Sequence, residues 1–165
     1  METDRFLDEI ARQWPQRGQS PSKELVELCL AALHEHPESS TLWYDLGTLM
    51  QRCGTDLGYT PEDYLRCYEN AIKCHARNWE AYQELGYVLD NYFDEYSRSE
   101  QAFRKAIEFG AGAESYCGLA RVLAQSGKIR DAIQVLSEQA CPFHDNCEIE
   151  RMRSEIAAGD WYWVG

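Results

Sequence analysis

Apolar residues along this chain recur three and four positions apart, and no run alternates apolar and polar residues with β-branched enrichment. The pattern therefore predicts helices and no strands. Nine amphipathic segments can be read. The first carries Phe6, Leu7, Ile10 and Trp14 and stops at Pro15, and the second carries Leu25, Leu28, Cys29 and Ala32 and ends near His36, ahead of Pro37. Leu42, Trp43, Leu46, Leu49 and Met50 mark the third, and Tyr64, Cys67, Tyr68, Ala71 and Ile72 the fourth. Tyr82, Leu85 and Leu89 make a fifth that gives way at Asp90–Glu95; Ala102, Phe103, Ala106 and Ile107 make a sixth. Three more follow, on Tyr116, Leu119, Ala120 and Leu123, on Ile129, Ala132, Ile133 and Leu136, and on Ile149, Met152 and Ile156.

Start and stop residues bracket these segments. Thr3, Ser20 with Pro21 at the first helical position, Ser40 or Thr41, Asn78, Ser97 or Ser99, and Asp145 or Asn146 are the expected N-caps. Thr60-Pro61-Glu62-Asp63 combines a capping hydroxyl, a proline and a carboxylate at capping-box spacing. Gly110, Gly112, Gly127 and Gly159 mark ends.

Two stretches read almost alike: Trp43-Tyr44-Asp45-Leu46-Gly47 and Ala81-Tyr82-Gln83-Glu84-Leu85-Gly86. A third copy, Tyr116-Cys117-Gly118-Leu119-Ala120, has Ala where the others end in Gly. Each is followed by a second amphipathic segment, carrying Tyr68 and Ala71, Phe103 and Ala106, and Ala132 and Leu136. Gly86 and Ala120 lie 34 positions apart, whereas Gly47 and Gly86 lie 39 apart, so five extra residues fall within Gly54–Thr60. Leu25, Cys29, Ala32 and Pro37 form a further half-match upstream.

These motifs resemble the tetratricopeptide repeat family, whose unit of about 34 residues is a helix-turn-helix with a W-x2-L-G-x2-Y pattern and then A-x3-F. The resemblance implies an all-α fold, a right-handed superhelix of antiparallel helix pairs closed by a capping helix. One domain over 1–165 would comprise a degenerate helix pair at 3–37, repeats at 40–78, 79–112 and 113–146, a capping helix at 147–159 and an aromatic tail at 160–165. It also implies that first helices line a groove, placing Tyr44, Thr48, Arg52, Glu80, Gln83, Glu84, Tyr87, Asp90 and Arg121 at the partner-binding positions. Repeats that clamp the C-terminal carboxylate of heat-shock chaperones present Lys and Asn there; this chain presents mainly acidic and amide groups. A basic or aromatic-containing peptide or protein is the expected partner.

Charge points the same way. With 28 acidic against 16 basic side chains the net charge is -12, which disfavours nucleic acid and anionic membranes as partners. No run of apolar residues is long enough for a membrane span and the N-terminus lacks a secretory signal, so a cytoplasmic protein is expected. The seven cysteines are an odd set, several of them on apolar helix faces, and are expected to be thiols.

No catalytic triad order, phosphate-cradling glycine loop or paired metal-ligand motif is present, and neither an enzyme nor a cofactor is expected. Cys141, His144 and Cys147 are a candidate soft-metal group whose spacing fits no finger pattern, and an interhelical turn accounts for them as well. Trp161, Tyr162 and Trp163 are read either as a cap over the last helix or as a second interaction patch for self-association. The expected function is a non-enzymatic interaction module or adaptor. Two alternatives stand beside it: an acidic chaperone or toxin-neutralising immunity protein for one basic partner, and a metal- or thiol-dependent enzyme.

Overall fold

A computed structural model of the chain describes residues 2–143 and 146–159, the side chains of Glu2, Thr55 and Cys141 excepted. The described residues form nine α-helices and no strand: α1 (Glu2–Gln13), α2 (Lys23–Glu35), α3 (Ser40–Cys53), α4 (Pro61–Cys74), α5 (Trp79–Phe93), α6 (Tyr96–Glu108), α7 (Ala113–Gln125), α8 (Ile129–Gln134) and α9 (Cys147–Ala158). They fall into two compact units, 1–81 and 82–165, with α5 beginning in the first and continuing in the second.

Local chemistry sets most helix ends. The Asp63 carboxylate reaches back at capping-box spacing to accept from the Thr60 amide at 2.9 Å and its hydroxyl at 3.1 Å, with Pro61 inside the first turn of α4. The Asn78 side chain accepts from the Ala81 amide and the Asn146 side chain from the amides of Glu148 and Ile149. Gly159 closes α9 in the left-handed conformation, at φ 80°.

Several expected boundaries shift. Thr3 lies inside α1, which begins at Glu2. The cap of α2 is Ser22, whose hydroxyl accepts from Leu25, leaving Pro21 buried ahead of the helix, and Ser39 caps α3 in the same way. Asp90–Phe93 are helical, and α5 turns into α6 through Asp94, at φ 53°, and Glu95. Neither Ser97 nor Ser99 caps α6, which starts at Tyr96; buried Ser99 instead donates its hydroxyl to the Gly86 carbonyl at 2.7 Å. After Gln134 the eighth helix widens into a π-helical turn, Val135–Gln139. The insertion folds as a 3₁₀ turn, Gly54–Leu57.

In the first unit, α3 packs along α4 around Leu42, Leu46, Leu49, Tyr68 and Ala71, and α2 covers α3 with Leu25, Val26 and Cys29. The Leu-Gly pair explains the close approach: a Cβ on Gly47 would lie 2.9 Å from the Tyr68 ring. Ser40 ties the start of α3 to the end of α4 and to the turn that follows, donating to the Ala71 carbonyl at 2.8 Å and accepting from the Asn78 side chain at 2.9 Å.

In the second unit Phe103 is the central side chain. It is fully buried, and a Cβ on Gly86 would come within 2.9 Å of its ring. On its other side lies Gly118, closer still, so Gly118 and not Ala120 provides the small residue there. Leu119, Val122, Leu123, Val135, Leu136, Ile149 and Ile156 complete this core.

Candidate functional site

The residues expected in the groove lie on the first helices of the pairs, and each unit presents its own set. On the first unit, Tyr44 rests against Tyr68 with ring centroids 6.0 Å apart, and the Thr48 hydroxyl turns back to the Tyr44 carbonyl at 3.1 Å. Arg52 is engaged elsewhere: its guanidinium donates to the carbonyls of Pro15, Gln16 and Gln19, fixing the α1–α2 loop. A cleft of about 440 Å³ is lined by Tyr44, Asp45, His75, Trp79 and Glu80, among others. A second cleft, of about 330 Å³, is lined by Leu7, Ile10, Ala11, Trp14 and Asp45. Asp45, absent from the expected set, thus lies where the two clefts meet. Burial pushes its carboxyl up to about 6.

On the second unit the expected residues form a connected polar group. Buried Gln83 accepts a hydrogen bond from the Ser115 hydroxyl at 2.6 Å. The Tyr87 hydroxyl donates to the Glu114 carbonyl at 3.1 Å, while its ring meets Phe103 edge-on and carries the Arg121 guanidinium 5.5 Å from its centroid. Arg121 also ion-pairs with Asp90 and donates to Asn91 at 3.0 Å. Burial pulls the Asp90 carboxyl upward, against the neighbouring Arg121 charge.

Unlike Asp90, Glu84 makes no ion pair among the described residues. Burial, with the nearby charge of Glu114, pushes it up to about 7 although Gln83 donates to it. Glu114 also lines a small cleft of about 200 Å³ with Tyr87, Cys117, Asn146 and Glu148.

Some other carboxylates on the helices carry their own cation. Glu9, Asp63, Glu95, Glu100, Glu108, Glu148 and Glu150 each pair with a Lys or Arg. Asp45, Glu80, Glu84 and Glu114 make no ion pair among the described residues.

His144, the side chain of Cys141, and Trp161, Tyr162 and Trp163 fall outside what the structure describes, so the metal-group and tail expectations lie there too. Cys147 is exposed at the first position of α9. No group of three His, Cys, Asp or Glu side chains among the described residues is arranged to hold a metal ion, and no helix among them is long and apolar enough to cross a membrane.

No family model matches the chain, and no curated protein matches its sequence. Solved structures do. MamA aligns over 94% of this chain and 86% of its own, with TM-score 0.71 and 19% identity. YrrB, described as a TPR protein with an unusual peptide-binding site, aligns over 82% of this chain and 67% of its own, with TM-score 0.67 and 20% identity. TTC0263, a thermophilic TPR protein of Thermus thermophilus, aligns over 82% and 71% with TM-score 0.62 and 15% identity. The chain has the tetratricopeptide-repeat fold.

Proposed function

We propose that this tetratricopeptide-repeat chain is a non-enzymatic interaction module that takes a basic segment of a protein partner along the carboxylate-bearing faces of its first helices. The observation that carries the reading is a group of neighbouring carboxylates with no cation of their own. Glu80 and Glu84 stand one turn apart on α5 and Glu114 is near enough to Glu84 to raise its carboxyl, yet none of the three makes an ion pair among the described residues. Asp90 does not belong to this set, because Arg121 neutralises it. The fold argues for binding by analogy, and YrrB, with its peptide-binding site, supports the choice of a peptide.

The net charge of -12 adds long-range steering toward a basic partner. Tyr44, Tyr87 and Trp79 supply apolar area beside the carboxylates, as interaction hot spots require. A cytoplasmic adaptor suits these features.

The test is binding between the purified chain and a partner co-purified with it from the native source, followed by calorimetry. Glu80→Lys, Glu84→Lys and Glu114→Lys together should abolish binding while the helical circular dichroism spectrum is retained. Binding that survives the triple reversal removes the acidic-face reading.

A further inference from the structure

Asp45 is the third residue of the first repeat motif, on α3, and neither the repeat pattern nor its usual groove positions single it out. It is half-buried. It makes no hydrogen bond and no ion pair among the described residues.

Its surroundings are unusual for a lone carboxylate. On one side the cleft of about 330 Å³ is walled by Leu7, Ile10, Ala11 and Trp14 of α1, none of which can ionise. Below it, from α2, lies the Cys29 thiol, which feels the Asp45 charge and donates its own hydrogen to the Leu42 carbonyl. On the other side, in the cleft of about 440 Å³, stand Tyr44 of α3, His75 and Arg77 after α4, and Glu80 of α5. None of these pairs with Asp45, and its upward shift comes from burial alone.

A half-buried carboxylate without a partner destabilises the fold that holds it, and an amide or a leucine would fill the space at lower cost. The same arrangement is a good receptor for a cation on an apolar stem. A lysine or arginine side chain has a methylene stem that can lie along Leu7, Ile10 and Trp14, with a charged head that reaches the carboxylate. Desolvation strengthens the resulting ion pair relative to one on an open surface, and the Trp14 indole adds a cation-attracting face.

We propose that Asp45 is the seat of a single Lys or Arg side chain of the partner polypeptide, its stem in the α1 cleft and its head on the carboxylate. This deepens the acidic-face reading and rests on it for the nature of the partner. Asp45 is not among the residues reversed in the test of that reading, so the two can fail separately.

The experiment is a titration of the full chain, followed through the Asp45 carboxyl and the Leu7 and Ile10 methyl resonances. The probes are the capped tripeptide alanine-lysine-alanine, its arginine and norleucine counterparts, and n-butylammonium. The lysine or arginine peptide should shift these signals saturably at pH 7.5 and bind at least fivefold more weakly at pH 5, where Asp45 is protonated. Asp45→Asn should weaken binding at least fivefold while leaving the fold intact by circular dichroism. Equal binding of the norleucine peptide, an unchanged dissociation constant for Asp45→Asn, or no shift with either cationic peptide would overturn the proposal. Binding of n-butylammonium as tight as that of the lysine peptide would overturn the assignment to a polypeptide.

Discussion

Arg121 holds Asp90 across 31 residues of chain, its guanidinium against a carboxylate whose side chain is 1% exposed. Two of the residues expected to meet a partner therefore meet each other. The pair is also anchored by Asn91 and by the Tyr87 ring, so it behaves as part of the second unit's structure. Removing one member of a buried pair strands the other. Arg121→Ala should destabilise the chain by about 3 kcal/mol or more, and replacing both Asp90 and Arg121 by leucine should cost much less. Urea denaturation of the single and double variants measures the difference. Equal losses in both would mean that the pair is not coupled.

Phe103 between Gly86 and Gly118 gives a steric prediction. A methyl added at either glycine meets the ring inside van der Waals contact, and a packed core yields only by moving side chains off their rotamers. Gly86→Ala and Gly118→Ala should each destabilise by roughly 1–3 kcal/mol, the second more than the first. Phe103→Leu should recover part of the loss in combination, although alone it leaves a cavity. Melting temperatures of the single and combined variants beside the parent test this.

The features legible in the sequence are those fixed by a few neighbouring residues. The Leu-Gly pairs, the Thr60–Asp63 box, the Asn78 and Asn146 caps and the terminal Gly159 all act within one or two turns, so their chemistry appears in the local spelling. What escaped was set by the rotation of one helix against another. Nothing near Arg52 announces that its guanidinium reaches back to the Gln16–Gln19 loop, nor does anything near Arg121 point to Asp90. In the third copy the register aligned Ala120 with the earlier glycines, but the face of α7 turned toward Phe103 carries Gly118. The place of Asp45 in the motif looks like a solvated polar slot. The apolar wall that makes it unusual comes from α1, outside the recognisable repeats.

The thiols sort by exposure. Cys29 and Cys67 are pushed up to about 12 and Cys117 to about 11, chiefly by burial, and Cys53 is also buried. Cys74 and Cys147 are exposed. Since the thiolate is the reactive form, an aromatic disulfide reagent at pH 8 should label Cys74 and Cys147 within minutes. Cys29, Cys53, Cys67 and Cys117 should react only as the chain unfolds. Mass mapping of the labelled peptides checks the order, and rapid native labelling of Cys29 or Cys67 would contradict the packing described around them.

Two of the raised carboxylates, Glu84 and Asp45, make stability depend on pH in an unusual direction. Glu84 moves from 4.5 to about 7 and Asp45 from 3.8 to about 6, so between these limits the folded chain binds protons that the unfolded chain has released. Stability contributed by such groups falls as pH rises, and the loss is complete once both are ionised in the folded state. Asp63 works oppositely: its carboxyl is held low by the Thr60 amide, and its contribution is lost as pH falls through its folded value. Glu84→Gln and Asp45→Asn should each raise stability at pH 8 by roughly 1–2 kcal/mol and leave it nearly unchanged at pH 3, below both unfolded values. Urea unfolding at the two pH values measures this directly. A gain of the same size at both would place the benefit in packing or hydrogen bonding, and the carboxylates would then not be destabilised by their charge.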